Sequence, residues 1–193
     1  MLVVIRLAVS AWLVYLAVAD LRRGEVSNWA TVPPLLVATI WRAASGDWTL
    51  GVALVVVVVA AECPPTLAGG LLLAGMFLCM GPAIRQGVEA ALVVWFGVAA
   101  LWLVGVLGGA DAKAVMTLAA LFPGERLGWL LLIAWLGQSL FYVIREHGWR
   151  TPRVVASALG ALARFRMPES RRRAPALPAV ALAGLVCAWL YFA

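Results

Sequence analysis

Charge is scarce in this chain of 193 residues: 12% are Asp, Glu, Lys or Arg, about half the share of a typical globular protein, against 65% hydrophobic. A water-facing fold of this length cannot hide that much apolar surface, and the mean hydropathy of +1.00 points to a multi-pass membrane protein. The alternation of polar and apolar residues that marks outer-membrane strands is missing too, so the crossings are expected to be helical. Cysteine is limited to Cys63, Cys79 and Cys187 with no C-x-x-C pair, so neither a zinc site nor a disulfide framework is signalled. The three read as small apolar packing residues. Histidine occurs once, as His147, in an Arg-rich stretch without other candidate ligands. No metal and no cofactor is expected.

What the chain has instead is Leu, Val and Ala in long runs. Eight hydrophobic segments stand at 2–19, 29–43, 48–61, 66–82, 88–107, 111–122, 127–144 and 176–192. Several fall short of the roughly 20 residues of a perpendicular span. They predict an all-α fold, a polytopic transmembrane helical bundle of six to eight crossings, in one integral-membrane domain over residues 1–193. The interruption Glu62-Cys63-Pro64-Pro65 keeps the third and fourth segments apart, because proline ends helices.

The net charge of +6 is unevenly placed: eight arginines lie between Arg145 and Arg173. This basic loop, at about 145–175, reads as a cytoplasmic surface that meets anionic lipid headgroups, not as a nucleic-acid site. Within it, 154–165 has the pattern of an amphipathic helix lying on the inner leaflet. With the N-terminus outside, eleven basic residues fall on inside loops (Arg22, Arg23, Lys113 and the eight arginines) against Arg42, Arg85, Arg126 and, near the outer end of the first segment, Arg6. Tryptophan supports the same picture. Trp29, Trp41, Trp48, Trp129 and Trp149 stand near segment ends, where an indole suits the headgroup region, while Trp12, Trp95, Trp102, Trp135 and Trp189 are more central. Ala17-Val18-Ala19 has the form of a signal-peptidase site, yet no basic stretch precedes the segment and the arginines follow it, so cleavage is not expected.

Two aspartates stand out against this background: Asp20, closing the first segment, and Asp111, opening the sixth. The parity that satisfies the basic residues puts both at the cytoplasmic face. Ionisable groups at membrane depth mark functional sites, and two carboxylates at one depth suggest a dyad that shares a proton. Asp111 is expected near a helix N-terminus, whose partial positive charge suits a carboxylate, and Asp20 near a C-terminus, which does not. Ninety-one positions separate them, so packing of the first helix against the sixth would have to bring them together. The plain structural alternative is that each merely caps a helix or loop.

After the first segment the chain reads Asp20-Leu21-Arg22-Arg23-Gly24-Glu25-Val26-Ser27-Asn28-Trp29, and before the sixth Gly108-Gly109-Ala110-Asp111-Ala112-Lys113. An Asp closing the first helix, a short basic stretch and a Ser-Asn end resemble the first motif of the type IV prepilin peptidases and archaeal preflagellin peptidases; the second run resembles their G-x-G-D-x-K motif. Both occur in the expected order within a matching hydrophobic pattern, so the resemblance covers most of the chain. It implies an intramembrane aspartic endopeptidase with Asp20 and Asp111 catalytic, and Gly108, Gly109, Ala110, Lys113, Arg22, Ser27 and Asn28 supporting them. It also implies as partners prepilin-like or preflagellin precursors, each with a short, often basic leader before a hydrophobic helix.

Two departures are visible. Ala110 stands where the family has its second glycine, and alanine restricts positive φ. The cysteine-rich region linked to N-methylation in bifunctional members is absent, so the resemblance implies a peptidase alone. Lys113, two residues from Asp111, would not face it on a continuous helix and is expected to reach the headgroups. Presenilin-type proteases share the G-x-G-D logic but carry a Tyr-Asp pair, whereas Ala19 precedes Asp20. A transporter or assembly factor using the two aspartates in an ion path or structurally is the reading from another class, although no internal repeat is visible.

Overall fold

A computed structural model of the chain describes residues 2–23, 26–80, 87–147 and 177–191. Their regular structure is entirely α-helical. Eight helices follow in order: α1 Leu2–Arg23, α2 Asn28–Ala44, α3 Trp48–Glu62, α4 Pro65–Cys79, α5 Val88–Leu103, α6 Gly109–Leu121, α7 Glu125–His147 and α8 Leu177–Tyr191. The expected amphipathic stretch at 154–165 and most of the basic loop lie outside the described residues, as do Gly24, Glu25 and Arg85.

Local chemistry explains the breaks. Ser27 caps α2, its Oγ accepting the Trp29 N–H at 3.3 Å. The expected interruption at 62–65 is present: α3 stops at Glu62 and α4 starts with Pro65, whose missing N–H is harmless at a first helical position. Two boundaries differ most from expectation, by four residues each. α1 runs on to Arg23, placing Asp20 inside its last turn, where Arg22 and Arg23 meet the negative end of the helix dipole. α5 ends at Leu103, short of Leu107, because the chain turns through Gly105 at φ 75, a left-handed conformation suited to glycine.

Length is the other difference. Among the described helices, Val3–Arg23 alone is both long and apolar enough to cross a bilayer, and the apolar helices Trp48–Glu62, Thr66–Cys79, Val88–Leu103 and Leu177–Leu190 are shorter. At 1.5 Å per residue, helices of this size span about 20–25 Å, against a hydrocarbon core of about 30 Å.

Helix α6 is the centre of the bundle, packed on α2, α5 and α8. Ala112 and the run Ala114 to Ala120 are all buried, and its small alanines let three neighbours approach at once. Helices α1 and α7 both lie on α8, and α3 packs between α2, α4 and α5. The expected contact between the first and sixth helices is therefore made largely through α8. Gly184 marks the crossing: a Cβ there would stand 2.7 Å from Leu13 Cδ1 on α1 and 2.8 Å from Leu118 Cδ1 on α6. Two tryptophans join helices through carbonyls. Pro34 has no N–H for the Ala30 carbonyl four residues back, and Trp12 Nε1 of α1 donates to that oxygen at 2.8 Å. Trp95, fully buried, donates to the Met116 carbonyl at 2.8 Å. The outer surface is apolar: Phe77 is 74% exposed, Leu78 72% and Val104 70%.

Candidate functional site

The site forms where the end of α1 and the starts of α2, α6 and α8 converge. Asp111 is the third residue of α6, and its carboxylate reaches back to accept the Gly108 N–H, one of the amides that a helix start leaves unpaired. This geometry gives Gly108 a purpose. Its backbone is extended, at φ −69 and ψ 148, which any residue adopts, but a Cβ would stand 2.7 Å from Asp111 Oδ2. The requirement is for space, not for positive φ. Gly109 is crowded too, since a Cβ there would lie 3.3 Å from Trp102 Nε1. Ala110 is helical, so alanine in place of the glycine of the motif it resembles has no conformational consequence at this position.

Asp20 is held from the other side. Its carboxylate accepts the N–H of Leu177, the first residue of α8, and its Oδ2 is buried with no hydrogen-bond partner among the described residues. The negative C-terminal end of α1 is thus not its only electrostatic neighbour, because the positive N-terminal end of α8 points at the same carboxylate. Each aspartate receives a peptide N–H from a different helix start. The two carboxylates lie within electrostatic reach, the charge of Asp20 acting on Asp111.

Lys113 makes a contact that its spacing did not foretell: its Nζ crosses the gap between helices at an exposed position and donates to Asn28 Oδ1 at the start of α2. The second motif is thereby tied to the end of the first. Thr117 anchors the same turn, its hydroxyl donating to the Lys113 carbonyl at 2.7 Å. Arg22 is exposed on the last turn of α1 and makes no ion pair with either aspartate. Ser27 contributes as the α2 cap.

Sequence reasoning missed the contribution of α8. Leu177 and Pro178 open it; Pro178 has no N–H, and the next amide, that of Ala179, donates to Gln138 Oε1 of α7 at 2.9 Å. The Leu-Pro pair shortly after the run Arg171-Arg172-Arg173 was a legible helix start, but nothing in it named Asp20 as the acceptor. Among the described residues, no group of three or more His, Cys, Asp or Glu side chains comes together. Compared with protein-family models, with curated proteins and with solved structures, the chain matches none.

Proposed function

We propose that the chain is a membrane aspartic endopeptidase that removes the short N-terminal leader of type IV prepilin-like or preflagellin precursors at the cytoplasmic membrane face. The observation that carries this reading is the convergence of Asp20 and Asp111, ninety-one residues apart and each inside a family-like motif, at one end of the bundle and within electrostatic reach. Large exposed apolar side chains around the outside support a lipid environment. Helices shorter than the bilayer core fit through local thinning and flanking side chains that reach the interface.

The chemistry follows from the pair. Two adjacent carboxylates share one proton, since both cannot ionise cheaply. The ionised member takes a proton from water as the water oxygen attacks the scissile carbonyl carbon, and the protonated member gives its proton to the carbonyl oxygen. Collapse of the tetrahedral intermediate breaks the C–N bond, the leaving nitrogen is protonated, and the pair again holds one proton. Asp20 Oδ2, which no protein donor occupies among the described residues, is the oxygen open to this exchange. The substrate's hydrophobic helix stays in the membrane while its leader lies at the site end, and the scissile peptide between them has to be extended to free its carbonyl.

The test incubates membranes containing the protein with a panel of prepilin, preflagellin and pilin-like precursors and follows loss of the leader. Cleavage by wild type that disappears in Asp20→Ala and in Asp111→Ala is the expected result. No cleavage of any precursor by folded wild type overturns the reading.

A further inference from the structure

We propose that Gln138 is a positioning residue for the carboxylate pair: by accepting the Ala179 N–H it fixes the first turn of α8, and that turn delivers the Leu177 N–H to Asp20. The inference rests on the peptidase reading and adds to it a residue outside both motifs.

The first turn of α8 has two amides near the site, because Pro178 has none. Both go to side chains of other helices, Leu177 to Asp20 on α1 and Ala179 to Gln138 on α7. An N–H can be met only by the Oε1 of a glutamine, so the amide orientation is dictated by the bond. Helix α8 packs on both α1 and α7, and Gly184 fixes its crossing with α1 and α6. That crossing lies two turns from the site on all three helices. Leu13 precedes Asp20 by seven residues, and Leu118 and Gly184 follow Asp111 and Leu177 by seven. The far end of this lever is set by Gly184 and the near end by Gln138. Without the Gln138 acceptor, the Ala179 amide loses its partner and the start of α8 is free to move along the face of α7. Asp20 then loses both the fixed donor and the fixed position of the helix end. A displacement of about 1 Å at a reacting group is enough to lower turnover by about 10²-fold.

The experiment compares Gln138→Leu and Gln138→Met, which keep most of the volume and remove the acceptor, with Gln138→Glu, which keeps it. Three readouts are taken on full-length protein in detergent or liposomes: thermal unfolding, kcat and KM for a cleaved precursor, and the carboxyl band of Asp20 by difference infrared, assigned with Asp20→Asn. Expected are a fall in kcat of about 10- to 100-fold in the two apolar variants with KM within about twofold, recovery to within about threefold in Gln138→Glu, and a shifted Asp20 band in the apolar variants alone. A role limited to stability would lower the unfolding temperature and leave the band and kcat of folded protein in place. That result overturns the proposal, as does a Gln138→Glu variant as slow as Gln138→Leu. If wild type cleaves no precursor, the peptidase reading falls and the infrared band alone decides the positioning role. Should Gln138→Leu fail to fold, Gln138→Met gives the same test.

Discussion

The two ends of the bundle treat inward-facing carboxylates in opposite ways. At the end away from the site, Asp47 is 4% exposed and has a cation beside it, with Arg42 Nη2 3.1 Å from its Oδ2. The contact is ionic without the alignment of a hydrogen bond. At the site end, among the described residues, Asp20 and Asp111 have no ion pair, only a peptide N–H each and the neighbouring carboxylate. A buried carboxylate kept for architecture is neutralised by a guanidinium. On the peptidase reading, a pair that exchanges protons has to stay free of one, since a cation in contact would hold both groups ionised. Arg22 and Lys113 are near enough in sequence to have served, yet one stays exposed and the other is held by Asn28.

The largest effect expected from this contrast is on catalysis. Asp20→Asn and Asp111→Asn keep side-chain size and are expected to lower leader cleavage by about 10³-fold or more each, with the double variant no slower than either single one. Initial rates on a precursor in liposomes measure it, and additive losses in the double variant would show that the aspartates do not act as a unit. Asp47→Asn should do the reverse. It leaves Arg42 without its counterion; because Arg42 is 24% exposed, the loss of stability is expected at about 2–3 kcal/mol, below the cost of breaking a fully buried pair, with kcat within about twofold. A large fall in kcat in Asp47→Asn would erase the distinction between the ends.

Much of the site end was legible because its signals are local. The two motifs and the break at 62–65 need only neighbouring residues to be read. The role of α8 was not legible for a physical reason. A helix apolar on all sides carries no amphipathic stripe, so its pattern does not say which face meets which neighbour. The donor to Asp20 is a peptide N–H at Leu177, and a backbone group leaves no trace in residue choice. Glycine shows the same limit twice. Gly184 reads as a weak point in a helix until Leu13 and Leu118 are seen on either side of it, and the glycines of the second motif suggest backbone freedom when Gly108 is needed for room.

Gly184 sharpens the comparison at intermediate size. Its methyl would meet Leu13 and Leu118, both fully buried, at 2.7–3.0 Å, so Gly184→Ala wedges α8 away from α1 and α6. We expect a loss of about 1–2 kcal/mol, at the lower end of overpacking effects. A fall in kcat of about tenfold follows from the shifted site. Leu13→Ala in the same background should return part of both, a coupling that a double-mutant cycle on unfolding and on kcat reads directly. Independent, additive effects of the two substitutions would mean that the crossing is not what aligns the site.

The smallest change tests the donor of a single hydrogen bond. In Gly108→Ala the backbone at φ −69 is comfortable for alanine, so the gain from a stiffer unfolded chain, about 0.4–1 kcal/mol, offsets most of the cost of the lost hydrogen bond and stability is expected to change by less than about 0.5 kcal/mol. The new methyl would nevertheless stand 2.7 Å from Asp111 Oδ2, and the carboxylate has to swing off the Gly108 amide to make room. Losing this peptide N–H donor is worth about 1 kcal/mol, which corresponds to a fall in kcat of about fivefold at unchanged KM. Alanine at 110 already sits inside the helix without strain, so Ala110→Gly should leave kcat within about twofold while weakening the first turn of α6 by roughly 0.5–1 kcal/mol. If the two substitutions had equal effects on kcat, backbone freedom and not room beside Asp111 would be what the motif's small residues supply.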